Sequence, residues 1–374
     1  MLPVVYAVGA RPNFVKVAAL IAAHRRLARD LPFRLVHTGQ HYDAKLSLVH
    51  WSDLQLPKPD ADLAVGSGSN AWQLARTVER FADYLERHPA RGVVVVGDVN
   101  ATLGCALAAD RAGVALAHVE AGLRSFDRRM TEEKNRILTD HLADLLFVSE
   151  PSGERNLRAE GIKAARIFYV GNVMIDSLCS HLGRARQRDC RRTLGLADGD
   201  FGLVTLHRAE NVDDIARLRR LVDLVLTASK QAKLHWPLHP RVERRLDAVG
   251  LLSRLNGIQA LTLGPALGYL DFLSLLDSCS FVLTDSGGVA EEATFLGKPC
   301  LTLRPTTDRP ATVETGYNHI VDDDTALALE VLSVCRSAHD RGRCEISGWD
   351  GHAAERVIDQ LLRLWVREGL SSSV

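Results

Sequence analysis

The chain has no excess of charge of either sign: lysine and arginine together number 46, and aspartate and glutamate 46, in 374 residues. Such a balance supplies no global field to hold nucleic acid or an anionic membrane, so an anionic ligand must be met locally. CxxC spacing is also missing, and the seven cysteines, at positions 105, 179, 190, 279, 300, 335 and 344, are odd in number and scattered. Neither a disulfide framework nor a zinc site is expected, and a reducing compartment fits best. No apolar run approaches the ~20 residues that cross a bilayer. Internal repeats and low-complexity tracts are lacking as well. The opening MLPVVYAVGARPNFVK has no basic leader and reads as a strand ending at a glycine rather than as a signal peptide. A cytoplasmic, soluble protein without nucleic-acid or membrane partners is the expectation.

What is present is a rhythm. Short apolar runs (PVVYAVG, FRLVHTG, GVVVVGD, ALAHVEAG, DLLFVSE) alternate with longer amphipathic stretches, and the pattern restarts after Gly171 with FGLVTLHR, LHWPLHP, IQALTLG, SFVLTDSGG and KPCLTLR. Runs as continuously apolar as Val93 to Val96 suit strands covered on both faces, which predicts α/β units with parallel sheets. The length exceeds one ordinary core, so two domains are expected. The boundary falls near residues 166 to 177, giving an N-terminal Rossmann-like domain over 1–170 and a second over 171–350. Residues 351–374 read as a final amphipathic helix.

In open α/β sheets ligands sit beyond the carboxyl ends of the strands. Polar residues at those exits include Arg11, Gln40, His41, Asp98, Glu120, Arg124, His207, Arg208, His239 and Asp285, so both halves contribute, as a ligand in a cleft between two domains requires. Ser286, Gly287 and Gly288 follow a strand and open a helix, where free N–H groups and the helix dipole favour phosphate. Glu292, a turn further on, is placed to accept from sugar hydroxyls; a plain tight turn followed by solvated glutamates is the alternative. Arg11 and Lys16 flank the first strand-to-helix turn and suit a diphosphate, with surface-facing cations as the alternative. Asp98 and Glu120 are candidates for acid or base work. Glu132 and Arg136 share a helix face, as would an exposed i,i+4 ion pair. His41, His207 and His239 lie at strand exits, and no HxH or HxxxH spacing joins these three to one another, so no metal is expected.

Taken in order, GARPNFVK, HTGQHYD, VGDVNAT, HVEAGLRSFDRRMTEEKNR, VGNVMIDSL, LHRAENVDD, PLHPR, LTDSGGVAEEATFLGKPCLTLR and TTDRP resemble the bacterial non-hydrolysing UDP-N-acetylglucosamine 2-epimerases over residues 4 to 318. The resemblance implies a GT-B architecture, two Rossmann-like domains with a deep interdomain cleft, a homodimer, a terminal helix that returns to the first domain, no cofactor, and a place in polysaccharide biosynthesis. It also implies the reaction: UDP-GlcNAc is converted to UDP-ManNAc by elimination of UDP, through a 2-acetamidoglucal, and re-addition.

By that resemblance Ser286 and Gly287 receive the diphosphate and Glu292 the ribose. Arg11 and Lys16 face the UDP and sugar, and His207 and Arg208 the phosphates. Asp98, Glu120 and Glu132 form the acid/base set, and Arg136, His239 and Arg309 match further functional positions. Ala290, Thr131 and Lys134 depart from the family pattern, which leaves open a modified substrate such as a diacetamido uronic acid. GQHYD lacks the glutamine that follows GQHR in members regulated by a second UDP-GlcNAc. A hydrolysing 2-epimerase releasing ManNAc, a GT-B glycosyltransferase and an inert nucleotide-sugar sensor are the other readings.

Overall fold

The structure, a computed structural model, describes residues 1–39, 44–196, 199–337, 342 and 344–368. Gln40 and His41 lie outside the described residues, as does the side chain of Arg11. The chain divides into two compact units, one of residues 1–180 together with 347–374, the other of residues 181–346.

Unit 1 is built on a seven-stranded sheet: β1 (Val4–Val8), β2 (Phe33–His37), β3 (Ala61–Asp62), β4 (Gly92–Val96), β5 (Ala115–Ala121), β6 (Leu145–Val148) and β7 (Ile167–Tyr169), in the order β3-β2-β1-β4-β5-β6-β7. Every pairing is parallel. The run Val93 to Val96 is buried throughout, because alternate side chains enter the helical layers on opposite faces. Unit 2 holds a six-stranded sheet of β8 (Phe201–Thr205), β9 (Lys233–Leu238), β10 (Leu261–Pro265), β11 (Phe281–Thr284), β12 (Cys300–Thr302) and β13 (Asn318–Ile320), ordered β10-β9-β8-β11-β12-β13 and likewise parallel. Trp236, Phe281 and the leucines of helix Ile215–Ala228 fill its core.

Both sheets carry the 3-2-1-4-5-6 order of the doubly wound fold, so each has a switch point where successive crossovers go to opposite sides. In unit 1 it lies between β1 and β4, and in unit 2 between β8 and β11. Among the described residues no helix is long and apolar enough to cross a membrane.

The terminal helix, Ala353–Leu361 followed by a π-helical turn Leu362–Arg367, belongs to unit 1. The Asp176 carboxylate caps its start, accepting from Ala353 N at 3.1 Å and Ala354 N at 2.6 Å. Trp365 is fully buried over Gly92, where a Cβ would come within 2.6 Å of the indole. A second close approach lies at Gly171, whose φ is +86° and where a Cβ would stand 1.8 Å from the Gly348 carbonyl oxygen. Gly171→Ala therefore combines left-handed strain with backbone overlap and is expected to cost about 2–4 kcal/mol. Thermal or denaturant unfolding measures this, and an unchanged midpoint would show that the two segments do not touch.

Candidate active site

In unit 1 the helix Arg11–Leu27 starts directly after the β1 exit, with Pro12 in its first turn, where no N–H is needed. Asn13 accepts from Gly9 N and Ala10 N and donates from Nδ2 to Val96 O at 2.8 Å, so it ties the β1 exit to β4 across the switch point. One turn on, Lys16 is buried and forms an ion pair with Glu120. Surface-facing cations are therefore not the arrangement here, at least for Lys16.

Glu120 reaches that lysine through an irregular strand. Its φ is +73°, and the β5–β6 register shifts between Val119 and Ala121, a bulge that turns its carboxylate away from the sheet. Gly97, at the β4 exit with φ +68°, completes the fit: a Cβ there would meet Lys16 Nζ at 3.1 Å and Glu120 Oε2 at 3.3 Å.

Asp98 follows immediately and is ion-paired with Arg136 of helix Thr131–Leu142. Arg136 is 2 % exposed, so the exposed surface bridge weighed for this helix is not what it carries. Its guanidinium also meets Glu133 Oε2 at 3.3 Å. Glu133 in turn accepts from Ser125 N, Ser125 Oγ and Phe126 N, which holds the loop after β5. Glu132 is half-buried on the same helix.

In unit 2 the β8 and β11 exits are joined by Asp285. This fully buried carboxylate accepts from His207 N, Arg208 N at 2.9 Å, Asn211 Nδ2 at 3.0 Å and the His207 ring, whose Nδ1 lies 2.9 Å away. Burial alone would raise its pKa, but the imidazole and the two amides pull it down to about 2. The His207 ring is thereby oriented with Nδ1 toward the carboxylate, while its side chain stays 43 % exposed. His239 sits half-buried at the cap of helix Pro240–Ala248, its Nδ1 accepting from Arg241 N at 3.2 Å.

Ser286 caps helix Gly287–Phe295 through Val289 N. The glutamates that follow are not solvated as the alternative had them: Glu291 is 0 % and Glu292 3 % exposed. Glu291 accepts from Arg309 Nε at 2.8 Å, and Arg309 Nη1 also meets Asp308 Oδ2 at 2.6 Å. Glu292 accepts from the Tyr269 hydroxyl at 2.8 Å. Burial, with Glu291 beside it, pushes the Glu292 pKa up to about 8 against the opposing Tyr269 bond.

The family model described as UDP-N-acetylglucosamine 2-epimerase matches residues 25–362. The chain belongs to that family. It is 37% identical to a Methanocaldococcus jannaschii protein named UDP-N-acetylglucosamine 2-epimerase, over 94% of this chain and 96% of that one. It is 39% identical to a Pseudomonas aeruginosa protein named UDP-2,3-diacetamido-2,3-dideoxy-D-glucuronate 2-epimerase, over 96% and 98%. Among solved structures, the M. jannaschii UDP-GlcNAc 2-epimerase in complex with UDP-GlcNAc and UDP superposes with a TM-score of 0.91 at 34% identity, covering 97% of this chain and all of that one. The Neisseria meningitidis UDP-GlcNAc 2-epimerase bound to UDP-GlcNAc superposes at 0.88 with 26% identity, covering 97% of this chain.

Asn13, Tyr269 and Glu133 were not foreseen as site components, and Asp285 was seen at a strand exit without a role. Only the position of Asp285 carries a local signal, since its donors lie 74 to 78 residues away in the chain.

The raised pKa of Glu292 has a thermodynamic consequence. Between about pH 4.5 and 8 the folded state retains a proton that the unfolded chain releases, so this group's contribution is full below 4.5 and is lost as pH rises through 8. Glu292→Gln should therefore match the parent in stability at the acid end and exceed it at the alkaline end. Urea unfolding of both proteins across that range tests the sign; a gap that is constant with pH would contradict it.

Proposed function

We propose that this protein interconverts UDP-GlcNAc and UDP-ManNAc by eliminating and re-adding UDP. The observation that carries the reading is the pair of carboxylates at neighbouring strand exits, Asp98 and Glu120, each held by a buried cation, Arg136 and Lys16. Reversible inversion at C2 needs groups that remove a proton from one face and return one to the other. One carboxylate takes the C2 proton as the C1–O bond to UDP breaks and leaves the C1=C2 bond of 2-acetamidoglucal. UDP then re-adds at C1 and a proton is delivered to the opposite face of C2. Asp98, Glu120 and Glu132 form the acid/base set.

The unit 2 residues suit the departing UDP. His207, with Asp285 holding Nδ1, leaves Nε2 to supply a proton or hydrogen bond that offsets charge developing on the β-phosphate, with Arg208 as a further cation for the phosphates. The Ser286, Gly287 and Gly288 turn takes the diphosphate at a helix start, with Arg11, His239 and Arg309 as further binding groups. Glu292, a carboxyl that stays protonated near neutrality, both donates and accepts, as paired ribose hydroxyls require. The same reading expects a cytoplasmic homodimer acting in polysaccharide biosynthesis.

A second substrate is favoured by a specific observation: the identity to the P. aeruginosa diacetamido-glucuronate relative, 39%, is as high as the 37% to the M. jannaschii protein. Ala290, Thr131 and Lys134 depart from the family pattern in the same direction of a changed sugar pocket.

Proton NMR of the protein with UDP-GlcNAc in deuterated water decides between these. Deuterium at C2 with a UDP-ManNAc anomeric signal is the expected result; free ManNAc would mean hydrolysis, and no change would move the substrate to a diacetamido uronate. Asp98→Asn should abolish this exchange while UDP still binds, and normal turnover would remove Asp98 from the mechanism. Glu292→Ala should weaken UDP binding by about 1–3 kcal/mol in calorimetry; an unchanged affinity would count against its ribose role.

A further inference from the structure

His118 lies on β5, two residues before Glu120, and is completely buried. Its Nδ1 is 2.7 Å from Asp140 Oδ1, and its Nε2 is 2.8 Å from the Gly97 carbonyl oxygen. A carbonyl oxygen only accepts. Asp140 is also an acceptor here, because its other oxygen receives the Arg124 guanidinium at 2.7 Å and Gly122 N at 3.1 Å. A neutral imidazole has one donor and one acceptor nitrogen, and either tautomer would leave two acceptors facing each other. Both contacts are satisfied only when both nitrogens carry protons.

The ionisable groups around the ring are Asp140, from helix Thr131–Leu142, and, one step out, Arg124, which also grips Glu160 with two bonds of 2.7 Å. Glu160 is partly exposed and lies 3.5 Å from His141 Nε2 as well.

The acceptor held by Nε2 belongs to the residue before Asp98. Gly97 N donates to Val119 O at 3.1 Å, and Asp98 O accepts from Asn135 Nδ2 at 2.9 Å, so the Gly97–Asp98 segment is tied to β5 on one side and to the Arg136 helix on the other. We propose that His118, donating from both ring nitrogens, is a positioning residue that fixes the Gly97–Asp98 turn and so aims the Asp98 carboxylate. It touches no substrate; its effect passes through the peptide it holds. The kinetic part of this proposal rests on the epimerase reading, whereas the protonation and the tether do not.

Nitrogen-15 spectra of the full-length protein labelled at histidine test the first half. The expected His118 pattern at neutral pH has both ring nitrogens protonated. A single protonated nitrogen near neutrality would overturn the proposal. His118→Gln can donate to only one of the two acceptors. It should shift the Asp98 backbone amide signal and lower kcat by about 10²-fold, the scale of a small misplacement of a reacting group. KM and UDP affinity should hold, because the loss lies in the transition state. Parent-like kcat together with an unmoved Asp98 signal would refute the positioning role.

Should His118→Gln fail to fold, Asp140→Asn separates charge from tether. Its amide can donate to Nδ1, leaving a neutral ring that still donates from Nε2 to Gly97. The spectrum should change to the neutral tautomer with the Asp98 signal kept, and an unchanged spectrum would refute the imidazolium. The spectra need no substrate, so a parent protein that turns over neither UDP-GlcNAc nor a diacetamido uronate refutes the epimerase reading alone.

Discussion

A lysine ammonium buried against a carboxylate is the interaction on which the rest of unit 1 depends. Removing one partner of such a pair leaves a desolvated charge, at about 3–5 kcal/mol. To bring Lys16 and Glu120 together, β5 gives up regular geometry at Glu120, which adopts a left-handed φ of +73°. Gly97 must lack a side chain, and the first helix must begin without delay so that Lys16 falls one turn beyond the β1 exit. The left-handed Glu120 and the bare Gly97, each unfavourable alone, are explained by one electrostatic requirement.

The two units share a strand order but equip their switch points differently. Unit 1 gathers acids with their cationic partners: Glu120 with Lys16 and Asp98 with Arg136. Unit 2 places one buried acid, Asp285, beneath backbone amides and an imidazole, so its carboxylate organises donors and leaves the histidine ring facing outward. Proton transfer suits the first arrangement and anion stabilisation the second, which is the division of labour that an elimination from a nucleotide sugar demands.

Most of this fold was legible because parallel strands buried on both faces read as unbroken apolar runs, Val93 to Val96 above all. The strands that went unread, Ala61–Asp62 and Asn318–Ile320, are too short for any period to register. The strand ends at which Asp98, Glu120 and His207 stand were legible from the same apolar runs. What could not be read were contacts between distant segments: Asp285 with its donors, His118 with Asp140, Tyr269 with Glu292. The burial of Glu291 and Glu292 was not legible either, since adjacent glutamates carry no local sign that the helix bearing them is almost wholly buried.

The terminal helix carries a further consequence. Residues 353–367 complete the unit that begins at the other end of the chain, with Trp365 seated over Gly92 and Asp176 holding the helix start. During synthesis the β1–β7 sheet therefore emerges from the ribosome long before its last packing partner, and unit 2 is made in the interval. Until that final stretch is released, the surface destined for Trp365 stays open to other apolar contacts, so the growing chain has a window of exposure that the finished protein does not.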